Sequence, residues 1–308
     1  MSRPIRSINR PISIWHTRLA FLFLIPGIAF FLFFNLYPIL YAISMSFTNT
    51  SGYNIMADIN YIGLANFREL LTGLGSRFFY VVGRSLLFMA VSVPLKVAAG
   101  LAFALLLNSE LLKGRGFWRG LAIIPWAVPA FFSILTWRGM FAAGELGTIN
   151  QLLNYAGLRG INWLFDSTNA FIAYNTVEVW LAYPFMMTMI LAAMQSIPPD
   201  LYESSSMDGA GTWAKFRYIT LPLIKRPLLF ATTLTSIASF TMFQIAFLLN
   251  QGGPARTNEL VMVHGYKEAF HSAGLRYAYA ASFQVLVSLM VIILIILSLK
   301  ASRLTREV

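Results

Sequence analysis

No charged side chain occurs between Arg18 and Asp58. A run that long cannot be tucked inside a soluble domain, whereas a helix crossing a lipid bilayer needs only about 20 mostly apolar residues. The rest of the chain agrees. Of its 308 residues, 57% are hydrophobic and 11% charged, against about 45–50% apolar and about 25% charged in soluble domains. These values argue against a large soluble domain, a disordered chain or a secreted disulfide scaffold. Cysteine is absent, which removes disulfides, cysteine metal sites and thiol chemistry.

Six segments are long and apolar enough to span: about 19–41, 79–107, 121–141, 171–193, 228–249 and 277–299. Several carry prolines, namely Pro26 and Pro38, Pro94, Pro125 and Pro129, and Pro184. Proline breaks the backbone ladder, so neighbouring helices must repair it, as in a packed polytopic bundle. The expectation is an all-α integral membrane protein whose six-helix domain covers 19–299, with tails at 1–18 and 300–308. The apolar run after Arg3, Arg6, Arg10 and Arg18 is too long for a signal peptide, has no evident small-residue cleavage site, and reads as a retained first span.

The formal charge is +11. The bases form no stripe interleaved with aromatics, so nucleic acid is not the expected partner. They follow topology instead. With both termini on one side, that side holds 14 Lys and Arg and the other loops hold 7, which puts the termini in the cytoplasm. An outer loop carries Ile149, Leu152, Leu153 and Ala156 on one helix face, suited to the bundle's outer surface.

The inner loop at 196–227 is the most specific segment. Pro198 and Pro199 end the fourth span, and Pro199-Asp200 starts a helix with fixed φ and an acid at its positive end. Leu201, Ser204, Ser205 and Asp208 share a narrow face. Gly209 and Gly211 stop the helix, and a second begins near Trp213 and runs to Leu221-Pro222. This could be an ordinary interfacial helix-turn-helix or a face on which another protein closes.

The loop resembles the signature of permease subunits in binding-protein-dependent ABC importers: Glu-Ala-Ala, three residues, Gly, nine residues, Ile, any residue, Leu-Pro. Glu203, Gly209, Ile219, Leu221 and Pro222 match, with Ser204-Ser205 in place of Ala-Ala. Tyr202-Glu203 and Asp208-Gly209-Ala210 are similar to the carbohydrate branch, as are Tyr37-Pro38, the stretch Gly63 to Phe67, Ile124-Pro125-Trp126 and Gly252-Gly253-Pro254. The resemblance implies a six-span type I importer permease in the inner membrane, moving a sugar or oligosaccharide. It implies a second permease subunit, two ABC ATPase subunits that bind ATP-Mg and receive the loop helix, and a soluble sugar-binding protein. Glu203, Ser204, Ser205, Asp208, Gly209, Ala210, Ile219, Leu221 and Pro222 would form the ATPase-coupling element. No Gly-x-x-x-x-Gly-Lys-Ser/Thr loop occurs, so ATP hydrolysis is expected in a separate chain and no cofactor in this one.

The stretch Trp180 to Phe185 is similar to the maltose-type permease that lines the sugar site. By that similarity Leu181, Ala182, Phe185, Thr235, Ala238, Ser239 and Met242 would line the substrate pathway. Small and apolar residues also serve helix packing, and both readings stand for each position. Span five offers Ser239, Thr241 and Gln244 where that relative has more amides, so the sugar is not specified. Lys96 and Glu178 are intramembrane charges that could pair, or Lys96 could snorkel; a structural role is preferred. His16, His264 and His271 show no metal spacing and read as surface or loop residues. An ion-coupled secondary transporter would need inverted repeats or buried carboxylate chains, and a membrane enzyme a catalytic cluster; neither pattern is evident.

Overall fold

The computed structural model describes residues 14–55, 59–109 and 111–304. The outermost parts of both expected tails, 1–13 and 305–308, lie outside these. The described residues are helical apart from turns, loops and a single β-bridge, Thr48 to Tyr61. The helices are α1 (Ile14–Phe31), α2 (Tyr37–Met45), α3 (Ala65–Thr72), α4 (Phe78–Asn108), α5 (Arg115–Ala127), α6 (Ala130–Met140), α7 (Thr148–Tyr155), α8 (Ser167–Gln195), α9 (Pro199–Met207), α10 (Thr212–Lys215), α11 (Leu221–Phe240), α12 (Gln244–Asn250), α13 (Val261–Phe270) and α14 (Tyr277–Leu304).

The first expected span is α1 and α2 joined by a π-helical stretch, Leu32–Leu36. None of its apolar window, Phe21–Met45, is buried within the chain. The centre of the bundle is α4 against α8, flanked by α11. Asp166 opens α8 by accepting bonds from the Thr168 and Asn169 amides at 3.0 and 2.9 Å, the usual device for satisfying a helix start. Gly100 lets α4 approach α8: a Cβ there would stand 2.5 Å from Met186 Cβ. Close helix approach through small residues is the main packing device within a membrane.

Two expected single spans are broken. The third is α5 and α6, bent 88° at Val128-Pro129. Pro129 disfavours helical backbone at the residue before it, and Val128 is extended, at φ −82° and ψ 132°. The fifth is α11 and α12, interrupted at Thr241–Phe243. Here the hydroxyls of Thr232, Thr233, Ser236, Ser239 and Thr241 each donate to the carbonyl four residues back, a bond that weakens and bends helices.

On α7, Ile149 and Leu153 are half-buried and Leu152 and Ala156 exposed. The segment is pinned by buried Asn150, which donates to the Ala142 and Ile161 carbonyls and accepts from the Ile161 amide and the Trp163 indole.

Candidate functional site

The loop after α8 folds as a helix, a turn and a second helix. Pro198 caps α9 and Pro199 occupies its first turn. Gly209 ends it at φ +78°. Its amide donates to the Ser206 carbonyl at 3.1 Å, and the Ala210 amide to Ser205 at 2.9 Å. That pair of bonds is a Schellman closure, which requires left-handed backbone at the residue after the cap. Gly211 does not stop this helix as expected; it caps the next one. Nor does Leu221-Pro222 end the second helix. α10 passes through a π-helical turn, Phe216–Thr220, directly into α11. The widened turn places Pro222 at a helix start, where its missing N–H is not needed.

The signature residues divide in two. Glu203, Ser204, Asp208 and Gly209 are exposed, with Ser205 and Ala210 half-buried. Ile219 packs against the buried cluster of Met187, Met194, Ile197 and Ile224, as does Tyr202. Leu221 is half-buried and Pro222 exposed. The Tyr202 and Thr220 hydroxyls bond at 2.9 Å, and Lys215 Nζ donates to Ser206 Oγ at 2.6 Å. These contacts seat α9 on the foot of α11. Beside it lies a cleft of about 660 Å³ lined by Leu105, Tyr202, Trp213 and Phe216 among others. Met207 is 89% and Trp213 73% exposed, so large apolar groups stand open at this end.

At membrane depth, Lys96 and Glu178 pair, with Nζ to Oε1 at 2.6 Å. Lys96 also donates to Ser239 Oγ at 2.5 Å, and Ser239 Oγ lies 3.2 Å from the same carboxylate oxygen. Their exposures are 1%, 3% and 0%. The group joins α4, α8 and α11. Of the other residues expected on the pathway, Leu181 and Met242 pack against an apolar cluster that includes Phe88, Tyr174, Val177 and Ile245. Phe185 meets Trp126 edge-on at 6.3 Å. Thr235 is buried against Met186 Sδ at 3.7 Å. Ala182 is half-buried and Ala238 exposed. The Ser239 hydroxyl is thus held by the ion pair, and Thr235 faces a neighbouring helix.

Far from α9 sits a cluster that sequence reasoning missed. Glu259, fully buried, receives Arg256 at 2.7 Å, Arg77 at 3.5 Å and Lys267 at 3.8 Å. His264 lies 3.8 Å away. It is 2% exposed, not a surface or loop residue, because its ring packs on Phe283 at 5.0 Å while Nδ1 faces these charges. Burial pushes the Glu259 carboxyl up, but the neighbouring His264 and the Arg256 guanidinium, which donates to both carboxylate oxygens, outweigh it and hold the pKa at about 2. Arg84, a further charge within the second span, bonds Asn258 and lies over the Phe171 ring at 4.5 Å. A cation in the second turn of an otherwise apolar helix start was the available signal. No group of three metal-ligating side chains occurs among the described residues.

Known proteins resemble this chain in sequence and in fold. The chain is 33% identical over 290 residues to the trehalose/maltose transport system permease protein MalF of Thermococcus litoralis, covering 94% of this chain and 95% of that protein. It is 37% identical over 255 residues to the maltose/maltodextrin transport system permease protein MalF of Salmonella typhimurium, covering 79% of this chain and 49% of that protein, so it spans about half the latter's length. A bacterial alginate ABC transporter, solved with an alginate pentasaccharide-bound periplasmic protein, contains a chain of the same fold: TM-score 0.80 at 23% identity, over 95% of this chain and 96% of that one. Residues 70–306 match the family described as the binding-protein-dependent transport system inner membrane component, and with most of its length inside that match the chain belongs to this family of ABC importer permeases.

Proposed function

We propose that this chain is the permease subunit of an ATP-driven importer for a sugar or short oligosaccharide, and that α9 transmits the force of a separate ATPase. The observation that carries the reading is the divided signature. Ile219 and Tyr202 are anchored in the bundle, while Glu203, Asp208 and Gly209 face outward. One half grips the spans and the other is free for a partner. The sugar class rests on the likeness to permeases named for trehalose and maltose.

In this reading a second permease completes the pathway, a soluble binding protein delivers the sugar, and two ATPases bind ATP-Mg on the α9 side. Both termini lie in the cytoplasm. Phe185 supplies an apolar plane for a sugar ring, backed by Trp126. The Lys96–Glu178–Ser239 group fixes α4, α8 and α11 around it.

Purifying the complex through a tag on this chain should bring down an ATPase whose hydrolysis supports sugar uptake in proteoliposomes. Phe185→Ala should cut uptake while assembly and basal hydrolysis persist. Uptake driven by an ion gradient without ATP would overturn the reading. Orientation is checked on this cysteine-free chain with single cysteines at exposed Lys113 and Asn154. An impermeant thiol reagent outside the cell should label residue 154 and not 113.

A further inference from the structure

An apolar groove of about 640 Å³ runs between α4, α5 and α8. Its walls include Phe103, Leu106, Trp118, Leu121, Trp180 and Tyr183, and Phe103 stacks on Tyr183 at 4.7 Å. At about 100° per residue, Trp180 and Tyr183 leave α8 on the side opposite Leu181 and Phe185. The groove is therefore separate from the face assigned above to sugar.

Its end lies at the turn from α4 to α5. In sequence this turn carries Lys113, Arg115 and Arg119 against one acid, Glu110. Lys113 and Arg115 are exposed. Arg119 Nη2 donates to the carbonyl of Leu107, a groove residue, at 3.2 Å. Arg119 Nε is buried with no hydrogen-bond partner among the described residues. Gly114 caps α5 without a side chain, which leaves the positive end of that helix open to an anion. Ser109 and Trp118 stand at the same end, a polar group and an aromatic of the type found where hydrocarbon meets headgroups.

We propose that the groove binds one anionic phospholipid, an acyl chain along Phe103, Leu106 and Trp180 and the phosphate at Lys113, Arg115 and Arg119. A chain-shaped apolar hollow suits any lipid; the cation cluster at its mouth selects a negative headgroup. Each basic residue near an anionic lipid surface strengthens binding about fivefold.

The test uses the complex purified through a tag on this chain, in phosphatidylcholine nanodiscs containing a minor share of brominated phosphatidylglycerol or brominated phosphatidylcholine. Bromine quenches a tryptophan that it touches, and the Trp118 signal is the difference between wild type and Trp118→Phe. Brominated phosphatidylglycerol should quench Trp118 at a lower mole fraction than brominated phosphatidylcholine. Lys113→Gln with Arg115→Gln should cut the preference about fivefold for each cation removed, leaving only the share of Arg119. Equal quenching by the two lipids overturns the proposal, since that is ordinary bilayer contact. A preference undiminished in the double variant overturns it as well. So does the absence of quenching by either lipid, which means that protein covers the groove. Native mass spectrometry reads the same preference without Trp118→Phe: retained phosphatidylglycerol should exceed retained phosphatidylcholine, and the excess should shrink sharply in the double variant.

Discussion

The chain buries charge in two places by opposite means. At membrane depth, Lys96 and Glu178 neutralise each other one for one, with Ser239 as the only hydroxyl. All three stand on long helices. At the far end, buried Glu259 is faced by Arg256, Arg77 and Lys267, with His264 behind. These cations come from the start of α4, a loop and α13. The first group has no spare partner, so each member depends on the other. The second sets three cations against two carboxylates, Glu259 and Glu268, the latter 3.5 Å from Arg256, so it ties several loops to one point and tolerates the loss of one tie.

Removing one partner should therefore have unequal effects. Lys96→Ala leaves a carboxylate buried without a counter-charge, and breaking such a pair costs about 3–5 kcal/mol. Lys96→Met with Glu178→Met should return most of that, because apolar replacements avoid the desolvation of both ions. Lys267→Gln should cost about 1 kcal/mol or less, since two arginines remain on Glu259. Thermal unfolding of the purified complex measures all three. Equal losses for Lys96→Ala and Lys267→Gln would erase the contrast.

Acid sharpens it. The folded pKa of Glu259 is about 2 against an ordinary 4.5. A depressed carboxylate stabilises the fold fully above its unfolded value. That contribution fades as pH falls from about 4.5 to about 2, because the unfolded form takes the proton first. The part lost is on the order of 3 kcal/mol. Glu259→Gln should be less stable at neutral pH and should lose less on acidification than wild type. A parallel pair of stability–pH curves would count against the cluster as the far-end clamp.

Much of this was legible in the residues. Long apolar runs marked the spans, because lipid allows few charges. The loop signature located α9, and the αL turn at Gly209 followed from a glycine after a short polar helix. The pairing of Lys96 with Glu178 was one of two open readings; the sequence separation between them hides the contact. The far-end cluster was harder still. Arg77, Arg256, Glu259, His264 and Lys267 show no common period; they meet because the start of α4, the loop after α12 and α13 converge in the fold. The breaks at Pro129 and Thr241 were obscured because proline and back-bonding hydroxyls are often tolerated inside membrane helices. For Ser239 the sequence left pathway lining and helix packing equally open, and its place beside Lys96 and Glu178 is a contact that spacing does not reveal.

A modest stability effect should carry the largest functional one, and it falls on the outward half of the signature. A Cβ on Gly209 would meet nothing within 4 Å, so space is not what the position demands. Its φ of +78° is. Left-handed backbone is costly for β-branched residues, whereas asparagine visits it readily. Gly209→Val should therefore cost about 1–3 kcal/mol of local strain, too little to unfold the bundle but enough to reopen the Schellman turn and tilt α9. Gly209→Asn should keep the turn and much of the uptake, although its side chain is larger than alanine's. Gly209→Asp adds charge at a tolerated angle and should fall between them. Glu203→Ala leaves the turn intact and should be milder than Gly209→Val. ATPase copurification and coupled uptake rank the four. If asparagine is as damaging as valine, the surface left bare by glycine matters and not its backbone angle. If valine is harmless to both readouts, the proposal that this helix transmits force is wrong.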